Sequence, residues 1–179
     1  MTDLQELLDR HVRLVADWPE PGVTFRDITP LLAHAEAFAA TISALGARAL
    51  DLAGGQVDVI VGMEARGFIL GGALARELDA GFVPVRKAGK LPGPTYAVDY
   101  ALEYGTATLE MHQDAVAPGQ RAVLVDDVLA TGGTMAAADD LVRRGGGVVA
   151  GHLVLIELAA LGGRSALGDS VPYAALATY

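Results

Sequence analysis

The stretch Val123–Thr134 constrains this chain more than any other. Val123-Leu124-Val125 is a short apolar run, the pattern of a strand buried on both faces. It breaks into two adjacent carboxylates, Asp126 and Asp127, and passes through Val128-Leu129-Ala130 to Thr131-Gly132-Gly133-Thr134. A helical pattern follows from Met135 to Arg144. Strand, acidic end, glycine-rich turn and helix, in that order, suit an open α/β sheet, whose ligands sit at the carboxyl ends of strands. A glycine-rich turn entering a helix offers free N–H groups and the positive end of the helix dipole, which suit phosphate. The carboxylates would repel that phosphate. They serve better as acceptors for hydroxyl groups, or as indirect ligands of a divalent metal. A phosphate beside a pair of hydroxyls describes a ribose 5-phosphate. The plainer alternative is a helix N-terminus with acidic residues favouring the dipole.

The totals narrow the rest. The 179 residues suit one domain, and 52% apolar content excludes a disordered chain. With 22 acidic and 13 basic residues the net charge is −9, which argues against a nucleic-acid or anionic-membrane partner. No cysteine is present, so there is no thiolate chemistry and no disulfide. The first residues lack the basic and apolar regions of a signal peptide, and His152 and Glu157 interrupt the most apolar tract. The expectation is a cytoplasmic protein that neither crosses nor binds a membrane.

Read in order, Leu4, Leu7, Leu8, His11, Val12 and Val15 follow helical spacing up to the breakers Trp18–Gly22. Val23–Pro30 reads as irregular, and a helix is expected over 35–49. Strands are expected at 57–63, 81–86, 106–111, 121–125 and 148–158, with helices at 68–78 and 135–144. The alternation of strands and helices is α/β. A long Gly-, Pro- and Lys-containing stretch, residues 87–104, reads as a loop far beyond ordinary connection lengths, hence a candidate lid. The C-terminal residues read as a short tail that joins the N-terminal segment in a small cap. The four histidines show no metal spacing.

Other motifs fit the same rim. Glu64-Ala65-Arg66-Gly67 follows a strand, so Arg66 falls at its carboxyl end, where a guanidinium can clamp a diphosphate; the alternative is a surface turn. Arg86, Lys87 and Lys90 place three basic residues within five positions of an acidic chain, either a solvated loop or a cover for pyrophosphate. No Gly-Lys-Ser/Thr and no Gly-x-Gly-x-x-Gly is present to suggest the common nucleotide motifs.

Val-Asp-Asp-Val-Leu-Ala-Thr-Gly-Gly-Thr resembles the phosphoribosyl-pyrophosphate (PRPP) motif of the type I phosphoribosyltransferases. The resemblance implies a central, mostly parallel sheet flanked by helices, with a hood from about residues 1–34 plus the C-terminal tail, and a flexible loop over about 87–105. It implies that Asp126 and Asp127 hold the ribose hydroxyls and that Ala130, Thr131, Gly132, Gly133 and Thr134 hold the 5-phosphate. It places a pyrophosphate loop, often with a non-proline cis peptide, at Glu64–Ala65, with Arg66, Lys87 and Lys90 on the pyrophosphate. Arg86–Thr95 and Leu102–Gly105 resemble the hood loop of adenine-specific members. By that resemblance Glu103 closes on the base as a proton carrier and Tyr104 packs beside the reacting centre.

Pro21–Pro30 resembles the segment that grips adenine, with Phe25 stacked on the purine, Val128 or Leu129 opposite, and the backbone at Val23 and Arg26 reading the amino edge. Arg26 and Asp27 have a second reading as a structural pair. Glu157, Leu161, Gly163 and Arg164 read as structural or interface residues. The activity implied is purine salvage, transfer of phosphoribose from PRPP to adenine to give AMP and pyrophosphate. Catalysis would fall to Glu103, Arg66 and Asp127. Mg²⁺ would be held through PRPP and water, with Asp126 or Asp127 nearby and no direct protein metal site. A homodimer is implied as well. A hypoxanthine/guanine or xanthine transferase, or a PRPP-binding regulator on the same fold, stays open at this point.

Overall fold

The computed structural model describes residues 4–101 and 106–179. They fall into two compact units, Met1–Ala44 and Leu45–Tyr179. The first unit holds α1 (Leu4–His11), β1 (Arg13–Ala16), β2 (Thr24–Asp27), α2 (Thr29–Ala33) and the start of α3 (Ala35–Leu52). The helix expected to reach Val15 stops at His11. The residues after it form a strand that pairs antiparallel with β2, Arg13 facing Asp27 and Val15 facing Phe25. Val15 continues the helical spacing of the residues before it, and its pairing with β2 overrides that period. Within Val23–Pro30, expected to be irregular, Thr24–Asp27 is therefore a strand and Thr29 opens α2. Gly22, at φ +89°, closes the connection by donating its N–H to Asp17 Oδ1 at 2.7 Å. His34 Nδ1 accepts the Ala37 N–H at 3.2 Å at the start of α3.

The second unit holds β3 (Val59–Met63), α4 (Arg66–Glu77), β4 (Gly81–Lys87), β5 (Thr95–Ala101), β6 (Thr106–His112), β7 (Arg121–Leu129), α5 (Gly133–Arg144) and β8 (Val148–Glu157). A 3-10 turn (Ala159–Leu161), α6 (Gly163–Leu167) and β9 (Tyr173–Thr178) complete it. The strands form one sheet in the order β5-β6-β4-β3-β7-β8-β9. β4, β3, β7, β8 and β9 run parallel, and β6 pairs antiparallel with β4 and β5.

Two expectations change here. The stretch from Lys87 is not a loop throughout: Thr95–Ala101 is a strand in register with β6. Tyr96, Val98 and Tyr100 alternate along it and pack on the core. The C-terminal residues are not a plain tail: β9 is an edge strand beside β8, with Tyr173 and Ala175 packed on the same core.

Every residue of β3 is buried, as is Val149–Ile156 of β8. Such continuous burial is the mark of parallel strands covered on both faces. Leu70 and Leu74 of α4, with Leu141 and Val142 of α5, are buried with them. From β3 the chain crosses outward to β4 on one side, and later returns to β7 on the other. The order therefore reverses between β3 and β7, where an α/β sheet opens a crevice at its carboxyl edge.

Candidate active site

β7 outruns β3. Their pairing ends at Gly62 and Val125, whereas β7 continues beside β8 to Leu129. The acidic pair thus lies inside the strand, in the segment that has lost its β3 neighbour, and not beyond the strand end. The chain leaving β3 turns at Glu64–Ala65, a cis peptide at the position the sequence resemblance indicates. α4 then starts at Arg66 hard against β7. A Cβ on Gly67 would lie 2.9 Å from both Asp126 Oδ1 and the Val125 carbonyl oxygen, and a Cβ on Gly62 would lie 2.7 Å from the Gly67 carbonyl oxygen. The glycines are what let helix and strands approach.

This packing delivers Arg66 Nε to Asp127 Oδ2 at 2.7 Å. Asp127 is 5% exposed. The Asp127 N–H donates to Asp126 Oδ1 at 2.9 Å. Burial drives Asp126 well above the ordinary carboxylate range, and the neighbouring Asp127 charge adds to it. Burial raises Asp127 too, while Arg66 pulls it back. Two carboxylates thus share one close guanidinium, which lies on Asp127, while Asp126 lines the cleft.

Past Leu129 the chain enters the turn. Gly132 adopts φ +85°, and no side chain caps α5, so the first-turn N–H groups of α5 are available to an anion. A cavity of about 80 Å³ is lined by Asp126, Val128 and residues 129–135. The structure therefore brings Asp126, Val128, Leu129, Ala130, Thr131, Gly132, Gly133 and Thr134 to one cleft. Leu129 is only 2% exposed. Of the two apolar residues, Val128 offers more surface.

The basic residues divide. Arg86 is committed to structure: it donates to Glu64 Oε1 at 2.8 Å and to the Lys90 carbonyl at 3.1 Å. The Lys87 N–H donates to Glu64 Oε2 at 3.1 Å. The Arg86 hydrogen bond holds Glu64 below the ordinary carboxylate range. Glu64 is thus the acceptor that ties the cis turn to β4, a role its sequence context does not reveal. Lys87 ends β4 with an exposed side chain, and Lys90 lies exposed in the following turn.

In the first unit, Phe25 and Arg26 are half-buried on β2, and Val23 is exposed. Asp27 pairs with Arg13 across the hairpin. Glu103 and Tyr104 lie outside the described residues.

Comparison with known proteins agrees with this geometry. Residues 28–166 match the phosphoribosyl transferase domain. The adenine phosphoribosyltransferase of Thermobifida fusca is 58% identical over 177 residues, 99% of this chain and 98% of that protein. The chain belongs to the adenine phosphoribosyltransferase family. Among solved structures of the family, that of the Rhodothermus marinus protein matches with a TM-score of 0.90 at 51% identity, over 98% of both chains. The Saccharomyces cerevisiae enzyme, solved with an imino-altritol bisphosphate and adenine, matches with a TM-score of 0.91 at 37% identity, over 97% of both.

The cleft lies where the strand order reverses between β3 and β7. Two of its parts escaped the sequence reading: the Glu64–Arg86 tie and the packing of Gly67 on Asp126. A glutamate opening a Glu-x-Arg-Gly turn, and an arginine at the end of the neighbouring strand, are the signals that point to the first.

Proposed function

We propose that this chain transfers the 5-phosphoribosyl group of PRPP to adenine, giving AMP and pyrophosphate. The observation that carries the reading is the juxtaposition of the Asp126–Asp127–Arg66 cluster with the uncapped N-terminus of α5, at the point where strand order reverses. The α5 turn binds the 5-phosphate through backbone N–H groups and the Thr131 and Thr134 hydroxyls. Asp126 and Asp127 accept hydrogen bonds from the ribose hydroxyls. Arg66, Lys87 and Lys90 neutralise the pyrophosphate.

Adenine N9 forms its bond to C1 as the C1–oxygen bond to pyrophosphate breaks. Both electrons of that bond leave with pyrophosphate, and the N9 proton passes to Glu103. Positive charge grows on the ribose ring meanwhile, and the carboxylates stabilise it. Val128, at the cleft wall, supplies an apolar face for the purine.

The donor set suits magnesium carried by the substrate. Among the described residues no group of three or more acidic or histidine side chains is placed to hold an ion, and one or two carboxylates beside phosphate oxygens match magnesium's habit. The chemistry magnesium supplies when bound is neutralisation of the leaving pyrophosphate.

The test is a panel of adenine, hypoxanthine, guanine and xanthine with PRPP and Mg²⁺, read by pyrophosphate release. Turnover with adenine alone is expected. Preference for another base, or PRPP binding with no turnover, would overturn the reading.

A further inference from the structure

The segment after β8 sits directly behind the α5 turn. A Cβ on Gly132 would lie 2.4 Å from the Gly163 carbonyl oxygen and 2.9 Å from Ala166 Cβ. A Cβ on Gly163 would lie 2.1 Å from the Ala130 carbonyl oxygen and 3.0 Å from the Gly132 nitrogen. Each glycine is thus required by the backbone of the other, and the turn rests on α6 main chain against main chain. Gly163 is buried although the residues around it are exposed.

α6 is itself held. The Arg164 guanidinium lies over the Tyr173 ring, 4.7 Å from its centroid. Tyr173 opens β9, in register with His152 of β8. The far end of β9 is tied in as well: the Tyr179 N–H donates to the Glu157 carbonyl at 2.9 Å, and the Ala159 N–H donates to the Tyr179 carbonyl at 2.8 Å. The Leu158 N–H donates to the Leu129 carbonyl at 2.9 Å, joining this frame to the last residue of β7. A continuous chain of contacts runs from the edge strand, through Arg164 and Gly163, to Ala130 and Gly132.

We propose that Gly163, Arg164 and Tyr173 are positioning residues for the phosphate turn. None of them touches substrate. They form a back wall that sets where the Ala130–Gly132 backbone stands, and so where the α5 N–H groups meet the 5-phosphate. The inference rests on the reading of this turn as the 5-phosphate site. A main-chain wall cannot yield by changing a rotamer, so a methyl group at Gly163 must displace the turn. A displacement on the order of 1 Å costs up to about 100-fold where geometry controls binding and reaction.

The experiment compares the wild-type chain with Gly163→Ala, Arg164→Ala, Arg164→Lys and Tyr173→Phe. It measures KM for PRPP and for adenine, and the affinity for ribose 5-phosphate by calorimetry. Gly163→Ala is expected to raise KM for PRPP and weaken ribose 5-phosphate by about 10- to 100-fold, with KM for adenine within about twofold. Arg164→Ala is expected to give a smaller loss of the same kind. Arg164→Lys recovers part of it, since an ammonium also sits over a ring, and Tyr173→Phe, which keeps the ring, leaves the constants near wild type.

Should Gly163→Ala not fold, the Arg164 variants carry the test alone. An unchanged affinity for ribose 5-phosphate in a folded variant, or equal losses for PRPP and adenine, overturns the positioning role. Failure of the wild-type chain to bind ribose 5-phosphate or PRPP overturns instead the functional reading beneath it.

Discussion

Asp126→Asn separates what the buried acidic pair costs the fold from what it does for the substrate. The swap changes one charge and almost nothing else. Asparagine has the same shape against Gly67, and its Oδ1 still accepts the Asp127 N–H that now reaches Asp126 at 2.9 Å. Arg66 stays with Asp127 at 2.7 Å, so in the variant that ion pair has an uncharged amide as its neighbour at every pH. Burial, with the Asp127 charge second, raises the Asp126 carboxyl. The folded state therefore binds that proton more tightly than the unfolded chain does. Its stabilising effect is complete when the group is protonated, below the ordinary carboxylate range, and is lost as pH rises through the raised value. Above that raised value the native protein carries the full cost of the buried charge and the variant does not.

Optimising one such group gains about 1–2 kcal/mol. A chain of this size shifts by about 2–4 °C per kcal/mol, so the variant should melt about 2–8 °C above the wild type at pH 7.5. Affinity should move the other way. Exchanging a charged acceptor for a neutral one against the ribose hydroxyls should lower kcat/KM for PRPP by about 10- to 100-fold. The assay is a series of thermal melts of both proteins in chelator-buffered solution from pH 8 to pH 4, with steady-state kinetics at pH 7.5. The stability gain should shrink steadily towards pH 4. A variant that melts lower at pH 7.5, or a gain that does not change with pH, would refute the account of Asp126 as an uncompensated buried charge.

Asp27 behaves in the opposite sense. The Thr29 N–H first, and Arg13 second, lower its carboxyl from 3.8 to about 2, so its contribution is present above 3.8 and fades as pH falls towards 2. Asp27→Ala should cost about 1–2 kcal/mol at pH 7, after allowance for the exposure of Arg13, and the gap from wild type should close in acid; denaturant melts read through the single tryptophan, Trp18, report it. Glu103→Gln should lower kcat by about 100-fold with little change in KM for adenine; a change confined to KM would leave Glu103 as a binding residue only.

The acidic pair, the glycine turn and α5 were legible because three local signals agree there: an apolar run, a charge break and a helical period. The first hairpin was not legible, because Val12 and Val15 continue the helical period of the residues before them, and only pairing with a strand eleven residues on overrides it. The alternation Tyr96, Val98, Tyr100 was present but lay in a stretch whose glycines, prolines and lysines suggested a loop. β9 was hidden differently: Ala174, Ala175 and Ala177 have weak strand preference, and only the waiting edge of β8 makes them a strand. Gly163 marks the limit of reading by residue type. Its importance comes from a main-chain oxygen at Ala130 and a main-chain nitrogen at Gly132, more than thirty positions away, which no side-chain pattern encodes. A glycine pair shows only that something must approach. Which backbone approaches is a property of the fold, and here that backbone belongs to the turn on which phosphate binding depends.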